Sequence, residues 1–540
     1  MNIKMNIKLL FGDIWNSFIG LNKYVAQEFK FIYFTIAVVH FILTFYTDSL
    51  IFEYQDVNIF SIIRIKTIFF IILILIWQLI GYVVKNYPTS AAIKAFIKFS
   101  GIYFLIIMIF QLSLWPFIVG NQMYYGYFND TIHLTNTAVF QGIFIKYFRI
   151  YSLMLIPNIS GISIVQIIII SLIIGHIMQK IKVYFNLNKS IYFFYIPFLS
   201  PLIIQYNLHM EKDVIYGYCL LFLISVLLFV KLNKSPDRLN KNLFLIAFLS
   251  AVVASIRPGG IFFFVATPFM LYFLNYKFMS FRKILLFIVF NLIMSLIFIP
   301  NIISTVVFNK YGDSYKNIYI LNNTFKVLLQ EAVENDNEYV LDEFDSGTSL
   351  KSEKLLSKNM VLGDGFFTEL PERDQDKFEI ISQKLMEEYF YEYIEYKFKR
   401  IPKKLRIIDL NPNPHDTSAY DEYSSQSYHS IKDKIVQISP SVYAKTINFF
   451  KTYNNYLVFP YYGLIMLFIS MYTVAVFVSI IFNIKKALTI SCFLIGYIIF
   501  QILIVPYAGF RFFFPGYLIG YLLIFYLIFY FIGNKKNNTN

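Results

Sequence analysis

Charged residues are scarce in this chain. Only 15% of its 540 residues are Asp, Glu, Lys or Arg, whereas a soluble globular domain is about one quarter charged. Apolar residues make up 57% and aromatic residues 20%. This composition predicts that lipid, and not water, is the main solvent of the folded chain.

Cysteine is nearly absent, and so are the motifs that name a function by themselves. Cys219 and Cys492 both fall in apolar stretches, which excludes a disulfide framework. Neither a P-loop nor a zinc signature occurs. Function therefore has to be inferred from where single polar residues lie.

The net charge of +14 does not indicate nucleic-acid binding. The basic residues stand in short clusters between apolar stretches, and no continuous basic face is formed. This pattern is typical of the Lys and Arg residues that flank membrane helices on their cytoplasmic side. The bilayer is therefore a predicted partner, and nucleic acid is not.

Apolar stretches recur along most of the chain. A transmembrane helix needs about 20 apolar residues, because the hydrocarbon core is about 30 Å thick. The pattern predicts an all-α polytopic membrane protein of about twelve transmembrane helices. The predicted spans are 31–47, 67–84, 99–118, 158–179, 191–208, 214–230, 243–256, 261–275, 284–307, 456–483, 487–508 and 512–533. Residues 140–156 are predicted to form a helix near the membrane interface. The pair 243–256 and 261–275 is short for full spans, which predicts either tilted helices or a break at the turn Arg257 to Gly260.

The distribution of positive charge predicts the orientation. If both termini are cytoplasmic, the cytoplasmic segments hold 21 Lys and Arg, and the short outer loops hold seven. The segment 309–455 holds the other 19 and is left out, because long loops cross the membrane largely regardless of charge. We therefore expect a bacterial plasma-membrane protein with both termini in the cytoplasm and 309–455 outside.

Acidic residues outside the long loop favour the outer face. Of nine such acids, six lie in predicted outer loops: Asp48, Glu53, Asp56, Asp130, Glu211 and Asp213. No predicted span has a charged residue in its middle, which argues against an ion-coupled transporter. The chemistry is therefore expected at the outer interface.

The segment 309–455 differs sharply in composition, with 43 charged residues among 147. Residues 378–405 have apolar positions at helical spacing and end in a basic cluster. This predicts a large, mainly helical extracytoplasmic loop domain. Its basic helix end is suited either to solvent or to anionic lipid headgroups.

Polar residues in the outer loops offer the chemistry of a transfer from a phosphate-activated lipid. Asp130 and His133 lie in the aromatic loop 121–141, and Glu211, Lys212 and Asp213 form a tight turn between two spans. A carboxylate can act as general base on a hydroxyl or hold a divalent cation. Cations can stabilise a phosphate leaving group, and the remaining candidates for this role are Arg257, before Pro258 and two glycines, and Arg511, before Pro515.

The layout resembles the GT-C superfamily of membrane glycosyltransferases, which use polyprenyl-phosphate sugars. If the first two spans are an addition, seven spans cover 99–307 and the large loop follows at once, as in that superfamily. Short segments carry the resemblance as well: Tyr151 to Pro157, the turn Glu211 to Asp213, Arg257-Pro258-Gly259 and Arg511 to Tyr517. The implied division is 1–98 (cytoplasmic segment and two additional helices), 99–308 (seven-helix module), 309–455 (loop domain) and 456–540 (C-terminal helices).

The resemblance also implies roles for single residues. Asp130 matches the catalytic base, and Glu211 with Asp213 a secondary acidic site. The donor phosphate would be bound by Lys212, Arg257 and Arg511, with His133 and Gln141 as supporting residues. The implied partners are a polyprenyl-phosphate sugar donor and a glycan, lipid or protein acceptor. No cofactor is firmly predicted, and a divalent cation stays open.

Two other functions fit parts of the sequence. A polysaccharide polymerase or ligase of the O-antigen type also has about twelve spans, a large outer loop and essential arginines, and the basic cluster in 397–406 would serve it. A transporter or lipid flippase should instead show internal repeats and charges within its spans. The acidic short loops favour the glycosyltransferase.

Overall fold

The computed structural model describes residues 31–48, 59–113, 143–156, 161–208, 212–230, 236–257, 259–274, 281–298, 462–504 and 510–537, with isolated positions at 52, 391 and within 441–449. The predicted loop domain 309–455 therefore lies almost wholly outside the described residues. The described part is nearly all helical, as the apolar periodicity predicts.

The helices, in chain order, are α1 Phe31–Leu43, α2 Ile59–Asn86, α3 Ala91–Ser113, α4 Ile143–Leu155, α5 Gly161–Tyr184, α6 Tyr195–Phe198, α7 Pro201–Leu208, α8 Lys212–Phe229, α9 Pro236–Ile256, α10 Gly260–Leu274, α11 Phe281–Phe298, α12 Tyr462–Ile481, α13 Lys485–Ile504 and α14 Phe510–Asn537. Short 3-10 helices cover Thr44–Thr47 and Lys189–Phe194.

Five helical segments among the described residues are long and apolar enough to cross a membrane. They are Ile62–Asn86, Ala91–Ser113, Gly161–Tyr184, Lys212–Phe229 and Phe514–Gly533. Their side chains can face lipid, and their backbone groups are satisfied within each helix. This confirms an all-α membrane protein, while the total of twelve spans and the separate loop domain stay predictions.

The segment predicted as one span at 191–208 is divided into short helices. Pro197 and Pro201 have no backbone N–H to donate, and two such residues four positions apart favour a break in the helix. The chain turns between them, where the N–H of Ser200 bonds the carbonyl of Pro197 at 3.2 Å, and α7 then starts at Pro201. The prediction of a single continuous helix here was wrong.

The predicted break after 256 is confirmed. Helix α9 ends at Ile256 and α10 begins at Gly260. The N–H of Gly260 donates to the carbonyl of Arg257 at 2.8 Å, which closes the turn. A side chain at Gly260 would overlap the carbonyl of Val253, so the turn depends on glycine at this position.

Helices α1 and α2 pack on α4 in a small apolar cluster of their own. His40 of α1 joins all three: the Trp77 indole N–H of α2 donates to its Nδ1 at 3.2 Å, and its Nε2 lies 2.9 Å from the carbonyl of Leu155 in α4. Since Nδ1 accepts, Nε2 must carry the proton and donate. The helix predicted at 140–156 is thus present as α4 and is fixed at its C-terminal end.

The main apolar core runs from α3 to α14. Helices α3 and α5 approach closely where Gly175 of α5 faces Ser100 of α3, since a Cβ added at Gly175 would overlap Ser100 and lie 2.7 Å from its backbone N. Two hydrogen bonds stabilise the same region. The Tyr195 hydroxyl donates to the carbonyl of Phe99 at 2.7 Å, and the Tyr103 hydroxyl to the carbonyl of Phe198 at 3.0 Å.

We expect Gly175→Ala to destabilise the protein, because the added methyl forces α3 and α5 apart and overpacking costs about 1–3 kcal/mol. The measurement is the midpoint of thermal unfolding in detergent. Gly101→Ala in α3 is the matched control, since a Cβ there meets no atom within 4 Å. Equal midpoints for the two variants would contradict the close approach.

Candidate functional site

A buried ion pair joins two of the residues singled out from the sequence. Nη1 of Arg257 lies 2.6 Å from Oδ1 of Asp213, and the two side chains are 7% and 3% exposed. Asp213 is in the first turn of α8, where free backbone N–H groups favour an anion. Arg257 stands in the turn between α9 and α10. The fold thus brings together a carboxylate and a cation that are far apart in the sequence.

The turn that carries Arg257 is packed against α13. A side chain at Gly259 would overlap the amide of Gln501, which is itself buried. Together with the close contact at Gly260, this packing fixes the backbone on the C-terminal side of Arg257. The guanidinium is therefore held at a defined place.

Two tyrosines lie beside the ion pair. Tyr216 is one helical turn after Asp213, and its ring centroid is 6.0 Å from Cζ of Arg257. Its hydroxyl donates to that of Tyr497 in α13 at 3.1 Å, and the ring of Tyr497 packs on Phe263 at 4.7 Å. The ion pair is thus bordered by aromatic rings and one hydroxyl pair, which keep the local dielectric low.

Sequence reasoning missed these tyrosines. The spacing between Asp213 and Tyr216 places them on one helix face and could have indicated the first. Tyr497 is separated from Tyr216 by 281 residues, and nothing local points to it.

Helix α14 runs parallel to α8 and begins at the same end of the bundle. Phe514 packs on Gly217 near the start of both helices, and Tyr526 on Phe229 near the other end of α8, with ring centroids 5.9 Å apart. Arg511 is in the first turn of α14, one turn before Phe514. Its backbone therefore lies at the end of the bundle that holds Asp213, while its side chain is outside the described residues.

An uncharged polar cluster lies on α3, α5 and α7, where these helices reach the same end. Ser163 donates to Oε1 of Gln111 at 3.0 Å, and Gln166 to the carbonyl of Asn207 at 3.0 Å. The amide of Asn207 donates in turn to the hydroxyl of Tyr103 at 2.8 Å. All five residues are buried. Amides and hydroxyls are thus present inside the bundle, where they bond to one another.

The other predicted site residues are less fully placed. Lys212 is the first residue of α8 and is half-buried. The predicted base Asp130, the supporting residues His133 and Gln141, and the acid Glu211 all lie outside the described residues. Within the described ranges, no group of three His, Cys, Asp or Glu side chains could hold a metal ion. The divalent cation therefore stays a prediction without assigned ligands.

A second ion pair joins the two N-terminal helices. Nζ of Lys66 lies 2.5 Å from Oδ1 of Asp48, 3.3 Å from the hydroxyl of Thr44 and 3.9 Å from the ring centroid of Phe45. Helix α2 begins at Ile59, eight residues before the predicted span, so Lys66 lies within a helix and not in a loop. The three residues that contact Lys66 directly follow α1, so these contacts hold the C-terminal end of α1 against α2.

We expect Asp213→Asn and Arg257→Gln each to destabilise the protein by about 3–5 kcal/mol, because each leaves a buried charge without its partner. The double variant should be destabilised by clearly less than the two losses added together. Denaturant titration of all four proteins measures these free energies. Additive losses would mean that the two side chains do not interact.

No protein-family model, curated protein or solved structure matches this chain.

Proposed function

We propose that this protein is a membrane glycosyltransferase that moves a sugar from a polyprenyl phosphate to an acceptor on the outer face of the bacterial plasma membrane. The observation that carries the proposal is the ion pair of Asp213 and Arg257. It joins a predicted acidic turn to a predicted phosphate contact at one end of the helical bundle.

The supporting chemistry is that of a phosphate leaving group. When the bond between the sugar and the phosphate breaks, its electron pair stays on the phosphate oxygen, where negative charge develops. A guanidinium can bind two of these oxygens at once, and in a site of low dielectric this stabilises the transition state. Arg257 supplies that group, with Lys212 and Arg511 as further cations at the same end of the bundle.

The acceptor hydroxyl needs a base. In the proposed inverting reaction, the acceptor oxygen attacks the anomeric carbon from the side opposite the phosphate, and Asp130 takes the hydroxyl proton. Asp213 is less suited to this step, because its carboxylate is already bound to Arg257. The acceptor is a glycan, a lipid or a protein of the cell envelope.

Lipid access fits the architecture. The site lies at helix ends within an all-α membrane protein, so a polyprenyl chain can stay in the bilayer while its phosphate reaches Arg257. The loop 309–455, proposed to be extracytoplasmic, would cover the same end. Both termini would then lie in the cytoplasm.

The experiment is transfer of a labelled sugar from a polyprenyl phosphate by the purified protein in lipid nanodiscs. We expect Asp130→Asn to lower the rate by about 100-fold or more, since general base catalysis contributes about 10²–10⁴. Asp237→Asn, at the opposite end of the bundle, is the control and should keep the wild-type rate.

Product length separates the proposed reaction from that of a polymerase. Addition of one sugar per acceptor supports the glycosyltransferase, whereas long glycan chains from a lipid-linked oligosaccharide would identify an O-antigen-type polymerase. Full activity of Asp130→Asn would remove Asp130 as the base. Absence of any transfer by the wild type, across polyprenyl-phosphate sugars, would contradict the proposed function.

A further inference from the structure

We propose that Asp213 is an exchangeable counter-ion: it neutralises Arg257 in the resting protein and is displaced by the phosphate of a lipid ligand, then returns as that lipid leaves. The idea rests on the proposed function, because it assigns a role to Asp213 at the same phosphate site. It gives Asp213, which the resemblance implies to be part of a secondary acidic site, a role in binding and release.

The charge of Arg257 requires a partner. A guanidinium that is 7% exposed among helices needs an anion close by, because burial of an unpaired charge is very costly. Asp213 provides that anion at 2.6 Å. A phosphate that binds Nη1 of Arg257 therefore competes with this carboxylate.

The backbone that carries the cation, Arg257, is fixed more firmly than the side chain of the anion, Asp213. The turn after Arg257 is closed by the bond from Gly260 to its carbonyl, and Gly259 is packed against Gln501. The Tyr216 ring borders the guanidinium. Displacement of the ion pair is thus expected to move Asp213 and not Arg257.

The Asp213 carboxylate can be stabilised when it is no longer bound to Arg257. It is the second residue of α8, and the first N–H groups of a helix have no partner within the helix. These groups and the positive end of the helix dipole stabilise a carboxylate after it leaves the arginine. Arg257 follows the C-terminus of α9, whose carbonyl end favours a cation but carries only about half a negative charge, so the guanidinium still needs an anion beside it.

The geometry of the guanidinium indicates the class of ligand. The fork of the guanidinium matches two oxygens of a phosphate, as it matches two of a carboxylate. A phosphate monoester carries up to two negative charges and so competes better than one carboxylate. The ligand is therefore an alkyl or polyprenyl phosphate, with its chain in the bilayer and its phosphate in the place of the Asp213 carboxylate.

Release is where the exchange matters for turnover. After sugar transfer the carrier is left as a monoester, which holds Arg257 more strongly than the donor diester does. The return of Asp213 competes with this product and speeds its departure. Loss of the carboxylate should therefore tighten phosphate binding, whereas a purely structural ion pair would give weaker binding or none.

The test is the titration of purified protein in nanodiscs with decyl phosphate, measured by calorimetry. We expect Asp213→Asn to bind decyl phosphate about tenfold more tightly than the wild type, and Arg257→Gln about tenfold more weakly. Asp48→Asn is the matched control, because it removes the acid of the other ion pair, and its affinity should not change. Affinity of Asp213→Asn equal to or weaker than that of the wild type would overturn the proposal.

A second measurement tests the exchange in the wild type and so does not depend on whether Asp213→Asn folds. Difference infrared spectra of the wild type should show a shift of a carboxylate stretching band when decyl phosphate is added, and Asp213→Glu should displace that band. An unchanged carboxylate region on saturation with ligand would also overturn the exchange. The binding assay and the transfer assay test different claims. If the wild type transfers sugar but Asp213→Asn does not bind decyl phosphate more tightly, only the exchange is rejected. If Asp213→Asn binds decyl phosphate more tightly but the wild type transfers no sugar, only the glycosyltransferase function is rejected.

Discussion

The arrangement of the site depends on one requirement, that a guanidinium buried among membrane helices must have an anion beside it. Arg257 meets it with Asp213, and this pairing ties the start of α8 to the turn between α9 and α10. Because α13 and α14 pack on the same helix ends, the pair also determines which other groups lie nearby: Tyr497 and Gln501 from α13, and the first turn of α14 with Arg511. The proposed phosphate site meets the same requirement, since a bound phosphate would be the anion that takes the place of the first.

The two ion pairs differ in their surroundings, and the difference distinguishes the proposed binding site from a contact between neighbouring helices. Lys66 and Asp48 lie within the small cluster formed by α1, α2 and α4, and Lys66 is further held by Thr44 and two phenylalanine rings. Both partners come from adjacent segments of one helical hairpin. Asp213 and Arg257 instead come from different helix pairs and meet among polar side chains of α13. The pair of Lys66 and Asp48 therefore fits helix association, and the pair of Asp213 and Arg257 is the one that we propose to bind phosphate.

Local features of the sequence predicted local features of the structure. The proline and glycines after Arg257 indicated a break between α9 and α10, and the helix predicted at 140–156 is present as α4. The predicted span 191–208 was wrong because hydropathy does not register the missing N–H groups of Pro197 and Pro201. The contact between Tyr216 and Tyr497 was beyond prediction, since it depends on how α8 and α13 pack and leaves no periodic signal. Asp213 and Arg257 were each found as isolated candidates, but only the fold shows that they bind each other.

The central claim is that the end of the bundle with the ion pair faces outward, where a lipid phosphate can reach it. Labelling of single cysteines with a membrane-impermeant maleimide tests this most directly, in a protein whose Cys219 and Cys492 are replaced by serine. His209→Cys, between α7 and α8 in the sequence, should be labelled in intact cells. Lys234→Cys, between α8 and α9 in the sequence and so at the opposite end of α8, should be labelled only after lysis. Labelling of position 234 and not of position 209 in intact cells would contradict the account.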